Sequence, residues 1–407
     1  MPKLFQFHGG VHPPEGKVTA GAAVQPAPLL DRYIVPLQQH IGAPPKLLVK
    51  KKDAVRRGQL IAEPAGFVSA GIHAPTSGTV KAVTECLSPA GANVPAVEIT
   101  SDGADTPDDS LTPLADWQNA SADDLKERIS AAGIVGMGGA AFPTHVKVSP
   151  PPAKPTDVLI LNGVECEPCL TADHRLMVED PDRVLTGAQI LARILGAKHV
   201  YLAVERNKPD VIALYQSKAD DSGIPVVDLK VRYPQGAEKQ LIYAVTGRKV
   251  PTGGLPMDVG CVVQNVGTCA AVAAAVLDGA PLIERVTTVT GSPLVSSGNW
   301  RVRVGTPLAE LLKLAGGVRE DPAKIVFGGP MMGQSVYSLD VPVVKSTSGI
   351  LLLAADELDL FTSGPCIRCG QCVDACPMDI MPATLSIHIE NERFDLAEEW
   401  HAMDCIE

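Results

Sequence analysis

The spacing of apolar positions changes character three times along the chain. Over the first hundred residues, short apolar runs are broken by Gly, Pro and Ser, as in "PKLLVKKKDAVRRGQLIAE" and "VSAGIHAPTSGTVKAVTE", a β-rich pattern. β-branched residues on either side of "PTSG" read as strand, tight turn, strand. Residues 102–113, "DGADTPDDSLTP", form an acidic linker punctuated by proline. From Ser121 a helical period takes over. "SADDLKERISAAG" opens on a Ser121 cap, with Asp124 three residues on as a capping-box variant, and stops at Gly133. "DVLILNGVE", "HVYLAV" and "IPVVDLKVRYP" then read as strands, separated by the helices "DRVLTGAQILARILG" and "KPDVIALYQSKADDSG". That alternation predicts an α/β layer on a largely parallel sheet. Residues 282–349 change again, to the size of a small mixed domain. "IERVTTVTGSPLVSSGNWRVRVG" predicts paired strands, "TPLAELLKLAG" a helix capped by Thr306, and "AKIVFGGPMMG" a strand into a glycine turn. A last strand, "GILLLAADEL", leads out to a cysteine-bearing tail.

Composition narrows the class. A chain of 407 residues, 45% hydrophobic, is long enough for roughly two or three domains with substantial cores. No window holds 18 consecutive apolar residues, so no transmembrane segment is expected, and Gly9-Gly10 with several early prolines interrupts any signal-peptide pattern. The net charge of −11 is uneven. Residues 351–407 carry 12 acids against two arginines, whereas residues 1–63 carry nine Lys or Arg against four acids. No aromatic-interleaved basic stripe occurs, so no nucleic-acid partner is expected. The patch "KLLVKKKDAVRRG" faces solvent, an anionic lipid surface or an acidic partner. Ten cysteines without an export signal read as metal ligands kept reduced, not as a disulfide scaffold.

The most specific chemistry is in "PCIRCGQCVDACPM". Cys366, Cys369, Cys372 and Cys376, followed by Pro377, have the C-x2-C-x2-C-x3-C-P spacing of iron–sulfur ligands. Soft thiolates suit iron, and structural zinc would want a second, separately spaced pair. In two-cluster ferredoxins the fourth cysteine of such a run serves the other cluster. That wiring leaves Cys405, in "HAMDCIE", as the opening of a second run, with the chain expected to continue beyond Glu407; a free buried cysteine is the alternative.

A one-electron carrier needs a donor or acceptor. In "GIVGMGGAAFPTHVK", Gly136, Gly138 and Gly139 let backbone amides approach an anionic or flat ligand, and Lys147 can meet a phosphate; a glycine turn without ligand is the alternative. "LNGVECEP" places Asn162, Glu165 and Glu167 where a parallel strand delivers its carboxyl end, the usual crevice of an open α/β sheet. Cys166 and Cys169 form a C-x-x-C with no second pair, and Cys86, Cys261 and Cys269 read as core. "VVQNVGTCAAVAAAV" sets Gln264, Asn265 and Thr268 just before a small-residue helix, as a phosphate site or simple caps.

Together "GMGGAAFPTHVK", "LNGVECEPCLTADHRLM", "YPQGAEKQLI", "VVQNVGT" and "CIRCGQCVDACPM" resemble the C subunit of the Rnf electron-transport complex, an ion-translocating ferredoxin:NAD oxidoreductase. The resemblance covers essentially the whole chain, and the middle region is similar to the FMN- and NADH-binding subunit of respiratory complex I. It implies a multidomain α/β protein. The parts are a biotinyl/lipoyl-like barrel-sandwich region (1–110), an FMN/NAD(H)-binding α/β domain (111–281), a β-grasp, SLBB-like domain (282–350) and a ferredoxin-like [4Fe–4S] tail (351–407). Carried over by motif, Gly136, Gly138, Gly139 and Lys147 would hold FMN, with Phe142 near the nicotinamide pocket. Asn162 and Glu165 would contact the flavin and Glu167 would face NAD(H). Gly236 and Glu238 match a G-E-E segment, and Gln264, Asn265 and Thr268 a V-N-N-V-E-T segment. Val164, Ala237, Gln264 and Gly267 depart from those motifs, and two polar flavin contacts are lost with them. The "PTSG" turn carries Thr76 and Ser77 and no modifiable lysine.

The resemblance implies hydride exchange between NAD(H) and FMN and single-electron transfer through two [4Fe–4S] clusters held by Cys366, Cys369, Cys372, Cys376 and Cys405. No side-chain acid or nucleophile is required; Glu165 and Glu167 would tune the pocket. The implied setting is peripheral, on the cytoplasmic face of the bacterial inner membrane. The implied partners are the membrane-embedded and peripheral Rnf subunits and, through the complex, a ferredoxin-type protein. The alternative is an iron–sulfur carrier and docking subunit that has lost flavin and NAD binding.

Overall fold

A computed structural model describes residues 4–358 and 364–406. Among them, the alternating segments that follow Ser121 build a wholly parallel four-stranded sheet. Its order is Val226–Leu229, His199–Glu205, Val158–Asn162, Cys261–Asn265. The strands are apolar on both faces because helices cover both. Leu159 and Leu161 pack with helices Ala122–Ala131, Pro181–Leu195 and Val266–Leu277, while Val158 and Ile160 pack with helix Glu238–Thr246. The first helix starts as its sequence predicts. Ser121 accepts the Asp124 amide, and the Asp124 carboxylate accepts the Ser121 amide. Gly133, with φ +63°, lies just past its end. Two helices, Ala172–Glu179 and Glu238–Thr246, fill segments read from the sequence only as polar motifs.

The next domain is a six-stranded mixed sheet around helix Leu308–Leu314, whose Leu308, Leu311 and Leu312 pack on Val289, Val302, Phe327 and Ile350. Two expectations are corrected here. The cap of this helix is Pro307, without a side-chain bond, and not Thr306. The strand expected to lead out to the tail, Gly349–Leu353, instead sits inside the sheet between Glu284–Gly291 and Lys324–Phe327, so this domain runs past residue 350. Its edge is also shared: Val24–Pro26, from the chain's first region, pairs in parallel with Gly298–Arg303.

The first region forms two small sheets. One orders Arg32–Pro36, Asn93–Ser101, Gly78–Leu87 and Ala54–Val55; the other orders Lys46–Leu47, Leu60–Glu63 and Ile72–His73. The strands flanking "PTSG" are therefore not a hairpin but belong to opposite layers. Thr76 and Ser77 are buried between them, where Ser77 Oγ donates to Asp102 at 2.6 Å. Such a turn cannot swing. The tail holds helices Gln371–Ala375, Pro382–Glu390 and Phe394–Glu399, with Ile380 and Ala397 buried. Among the described residues no helix is long and apolar enough to cross a membrane.

Candidate functional site

The parallel strands end together at Asn162, Glu205, Leu229 and Asn265, and the loops leaving those ends hold most of the polar residues singled out in the sequence. Asn162 and Asn265 are register partners on adjacent strands. Asn265 caps helix Val266–Leu277 by accepting the Gly267 and Thr268 amides, and its Nδ2 donates to Asp173 at 2.6 Å. Thr268 thus stands inside the helix and not before it. Its hydroxyl accepts the Met137 amide at 2.9 Å and ties the glycine loop to the sheet.

That loop folds back on itself through the Gly136 amide, which donates to the Phe142 carbonyl at 2.8 Å. Its crest, residues 138–140, is exposed. Gly139 has φ +120° and open space where a Cβ would stand, while Gly138 lies against Asn265. The helix that follows carries Lys147, whose Nζ meets Glu238 Oε1 at 2.6 Å, both side chains partly exposed. Asn162 Nδ2 donates to the Gly236 carbonyl at 2.9 Å, and the Gly236 amide lies 3.4 Å from Cys166 Sγ. Residues 136–147, 162, 236–238 and 264–268 therefore converge from four separate segments. Two buried amide nitrogens there, Gln235 Nε2 and Gln264 Nε2, have no hydrogen-bond partner among the described residues.

The two glutamates of "GVECEP" take other posts. Glu165, at φ +44°, accepts the Asp173 and His174 amides and so serves the start of helix Ala172–Glu179. Burial pushes its carboxyl up to about 7, against the pull of Lys17. Glu167 reaches the glycine turn of the mixed-sheet domain, where Oε1 accepts the Met331 and Met332 amides at 2.6 and 3.1 Å. Burial pushes the Cys166 thiol up to about 12, away from the thiolate form that redox chemistry uses.

Sequence reasoning missed four cations and acids that brace this region. Lys17 donates to the carbonyls of Glu165, Glu167 and Leu170 at 2.7–3.1 Å. Lys208, fully buried, donates to the Val164 carbonyl at 2.6 Å. Asp173 is raised by burial, and the Asn265 amide and the charge of Arg285 oppose the rise. Arg285 reaches the Lys345 carbonyl at 2.7 Å. Only "LTADHRLM" carried a trace of this, as an acid at a helix start.

In the tail Cys366, Cys369, Cys372 and Cys405 are exposed and Cys376 is half-buried. Arg368, at φ +57°, directs its amide at Cys366 Sγ at 3.4 Å, and Gly370 turns the chain at φ +80°. Cys376 and Cys405 line one cavity of about 210 Å³ with Tyr233, Pro234 and Met331. Among the described residues no three His, Cys, Asp or Glu side chains are gathered as a metal site gathers them.

Comparison with known proteins bears on all three folded parts. Residues 5–104 match the RnfC barrel sandwich hybrid domain, 129–274 the Nuo51 FMN-binding domain and 286–335 the SLBB domain. Over 403 residues the chain is 46% identical to the C subunit of the proton-translocating ferredoxin:NAD(+) oxidoreductase complex of Clostridium ljungdahlii, covering 98% of this chain and 88% of the relative. The chain belongs to the RnfC family. Another member, the C subunit of the Na(+)-translocating ferredoxin:NAD(+) oxidoreductase complex of Acetobacterium woodii, is 44% identical, with 98% and 90% covered. The C subunit of the ion-translocating oxidoreductase complex of Pseudomonas aeruginosa is also 44% identical, over 95% of this chain and 50% of its own length. Part of the chain also shares its fold with a crystal structure of an NAD+-reducing [NiFe]-hydrogenase in the H2-reduced state. There the TM-score is 0.50 at 19% identity, covering 61% of this chain and 50% of that one.

Proposed function

We propose that this chain is the peripheral electron-input and output subunit of a membrane ion-translocating oxidoreductase. It exchanges hydride between NAD(H) and FMN and passes single electrons through [4Fe–4S] clusters. The observation that carries this reading is the convergence of the glycine loop, Asn162, Gly236, Lys147–Glu238 and Asn265–Thr268 inside the segment that matches an FMN-binding domain. The residues fit the group. The loop crest is exposed backbone with room at Gly139, and Gln264 and Gln235 each present a buried donor that no described residue uses. FMN, when bound, supplies the conversion between two-electron and one-electron chemistry.

The chain's own residues do the positioning. Lys147 brings a cation for a phosphate, and Glu238 fixes where that cation stands. Gly136, Gly138 and Gly139 keep the backbone free of Cβ atoms where a flat ring must approach, with Phe142 closing the loop behind them. Asn162 sets the Gly236 turn. Glu165 and Glu167 act indirectly: one anchors the helix that carries Asp173, the other joins the pocket wall to the Met331–Met332 turn.

The donor set of the tail fits iron–sulfur clusters by type and spacing. Cys366, Cys369 and Cys372 would serve one cluster, and Cys376 a second with Cys405. Support for that division is that Cys376 and Cys405 face a common cavity. The setting we propose is the cytoplasmic face of the bacterial inner membrane, beside the membrane-embedded Rnf subunits and a ferredoxin-type partner.

Anaerobic titration of the holoprotein with NADH, followed by visible and EPR spectroscopy, tests the reading. Flavin bleaching followed by cluster reduction is expected. Loss of both sinks it, and clusters without any bleachable flavin would favour a carrier that has given up FMN.

A further inference from the structure

The N-terminal segment runs between the α/β domain and the cysteine tail, and it is bonded to both. On one side Val11 and Tyr233 exchange two backbone hydrogen bonds of 2.8 Å, and the Phe5 amide donates to the Ala244 carbonyl at 3.0 Å. Arg232 donates to the Phe7 and Gly9 carbonyls at 2.9 Å each and lies over the Phe7 ring. On the other side the Gly10 amide donates to the Ala375 carbonyl at 2.8 Å, one residue before Cys376.

Both glycines are required by space as well as by conformation. Gly9, at φ +69°, has Ala375 so close that a Cβ would stand 2.6 Å from its carbonyl oxygen. Gly10, at φ +84°, would bring a Cβ to 2.8 Å from Arg232 Cδ and 2.9 Å from the Tyr233 oxygen. Opposite this segment, Gln240 donates to Met378 Sδ at 3.2 Å from the helix whose first residue is Glu238. The cavity of about 210 Å³ between them is walled by Val11, Tyr233, Pro234, Met331, Cys376 and Cys405. Tyr233 and Pro234 lead directly into Gln235, Gly236 and Glu238 of the candidate flavin site.

We infer that Gly9 and Gly10, with Gln240 opposite, are positioning residues that clamp Cys376 against the flavin-side edge of the α/β domain. This rests on the function proposed above. The clamp fixes where Cys376 stands relative to the Tyr233–Pro234 turn that leads into the candidate flavin site. It also gives the glycine pair a purpose: only residues without a Cβ let the N-terminal backbone pass between Arg232 and Ala375.

The test uses the full-length holoprotein with Gly9→Ala and, independently, Gln240→Leu, since each loosens the clamp from a different side. Hydrogen exchange reads residues 371–399, with helix Pro181–Leu195 as internal reference. Rapid mixing with NADH reads flavin bleaching and cluster reduction separately. In both variants amides 371–399 are expected to lose protection while Pro181–Leu195 keeps it. Bleaching should proceed at the wild-type rate while cluster reduction slows several-fold. Wild-type protection of the tail, with cluster reduction still in step with bleaching, overturns the inference. A wild-type protein that shows no bleaching sinks the proposed function instead, and the exchange comparison then decides the clamp by itself.

Discussion

Glu205 closes strand His199–Glu205 with its carboxyl buried at 1% exposure, accepting the Arg232 amide at 3.1 Å and standing 3.9 Å from the Lys208 ammonium. Burial pushes the acid up to about 7 from 4.5, and Lys208 only partly restrains it; burial likewise lowers Lys208. The native state therefore holds a proton between pH 4.5 and 7 that the unfolded chain has released. Stability from this group is full below about pH 4.5 and is lost as pH rises toward 7. Glu165 has the same sign, but its carboxylate also receives two helix amides, so Glu205 is the cleaner probe. In Glu205→Gln, the decline in denaturation midpoint between pH 4.5 and 7 should flatten, by up to about 3 kcal/mol at about 1.4 kcal/mol per pKa unit. An unchanged decline would locate the proton elsewhere.

Elements whose ends are set by neighbours in sequence are the ones the chain announces. Ser121 and Asp124 sit three residues apart, and the helix they open is present with both cap bonds. The helix ending at Gly196 and the parallel strands follow in the same way, since their apolar runs need no distant partner to be recognised. What stayed illegible depends on contacts across the chain. Lys17 reaches carbonyls about 150 residues away, and no local pattern marks a lysine for that post. Glu167 reads as a pocket acid but finds two amides of another domain, and the "PTSG" strands pair with different partners, Leu60–Glu63 and Asn93–Ser101, which no local pattern announces. Of the candidate site, the glycine loop and Asn162 were legible and their bracing was not.

Gly187 belongs to the same class. It lies mid-helix in Pro181–Leu195, where propensity argues against glycine, yet a Cβ there would collide with the Cys269 carbonyl of helix Val266–Leu277. The two helices cover one face of the sheet, and Cys269 follows Thr268 directly. Gly187→Ala should gain about 1 kcal/mol of helix propensity and lose more to overpacking, for a net destabilisation on the order of 2 kcal/mol. Thermal denaturation checks it; an unchanged or raised midpoint would mean that the helices separate without cost. Because the displaced helix starts at Asn265 and Val266, flavin content should fall with it.

At the scale of the whole molecule, the three folded parts meet at one amine. Lys345, from the mixed-sheet domain, is 1% exposed, and its Nζ donates to the Gly71 carbonyl of the barrel-sandwich region and to the Gly133 carbonyl that opens the glycine loop, both at 2.7 Å. Its own amide donates to Gln39, and its carbonyl accepts Arg285. His40 and His73 lie close by, both held below their ordinary pKa by burial, with Lys345 adding to the effect. No carboxylate is among these contacts. Burial accordingly lowers the amine to about 7, against 10.5 in an unfolded chain. Between those values the unfolded state binds the extra proton, so stability should rise with pH from about 7 toward 10.5. Lys345→Met keeps the length and apolar stem but removes both the titration and the two donated bonds. The orphaned carbonyls should cost on the order of 1–3 kcal/mol each, and the rise with alkaline pH should vanish. Denaturation midpoints of both proteins between pH 7 and 10 decide the matter: a rise that persists in the variant would mean the junction is held by something other than this amine.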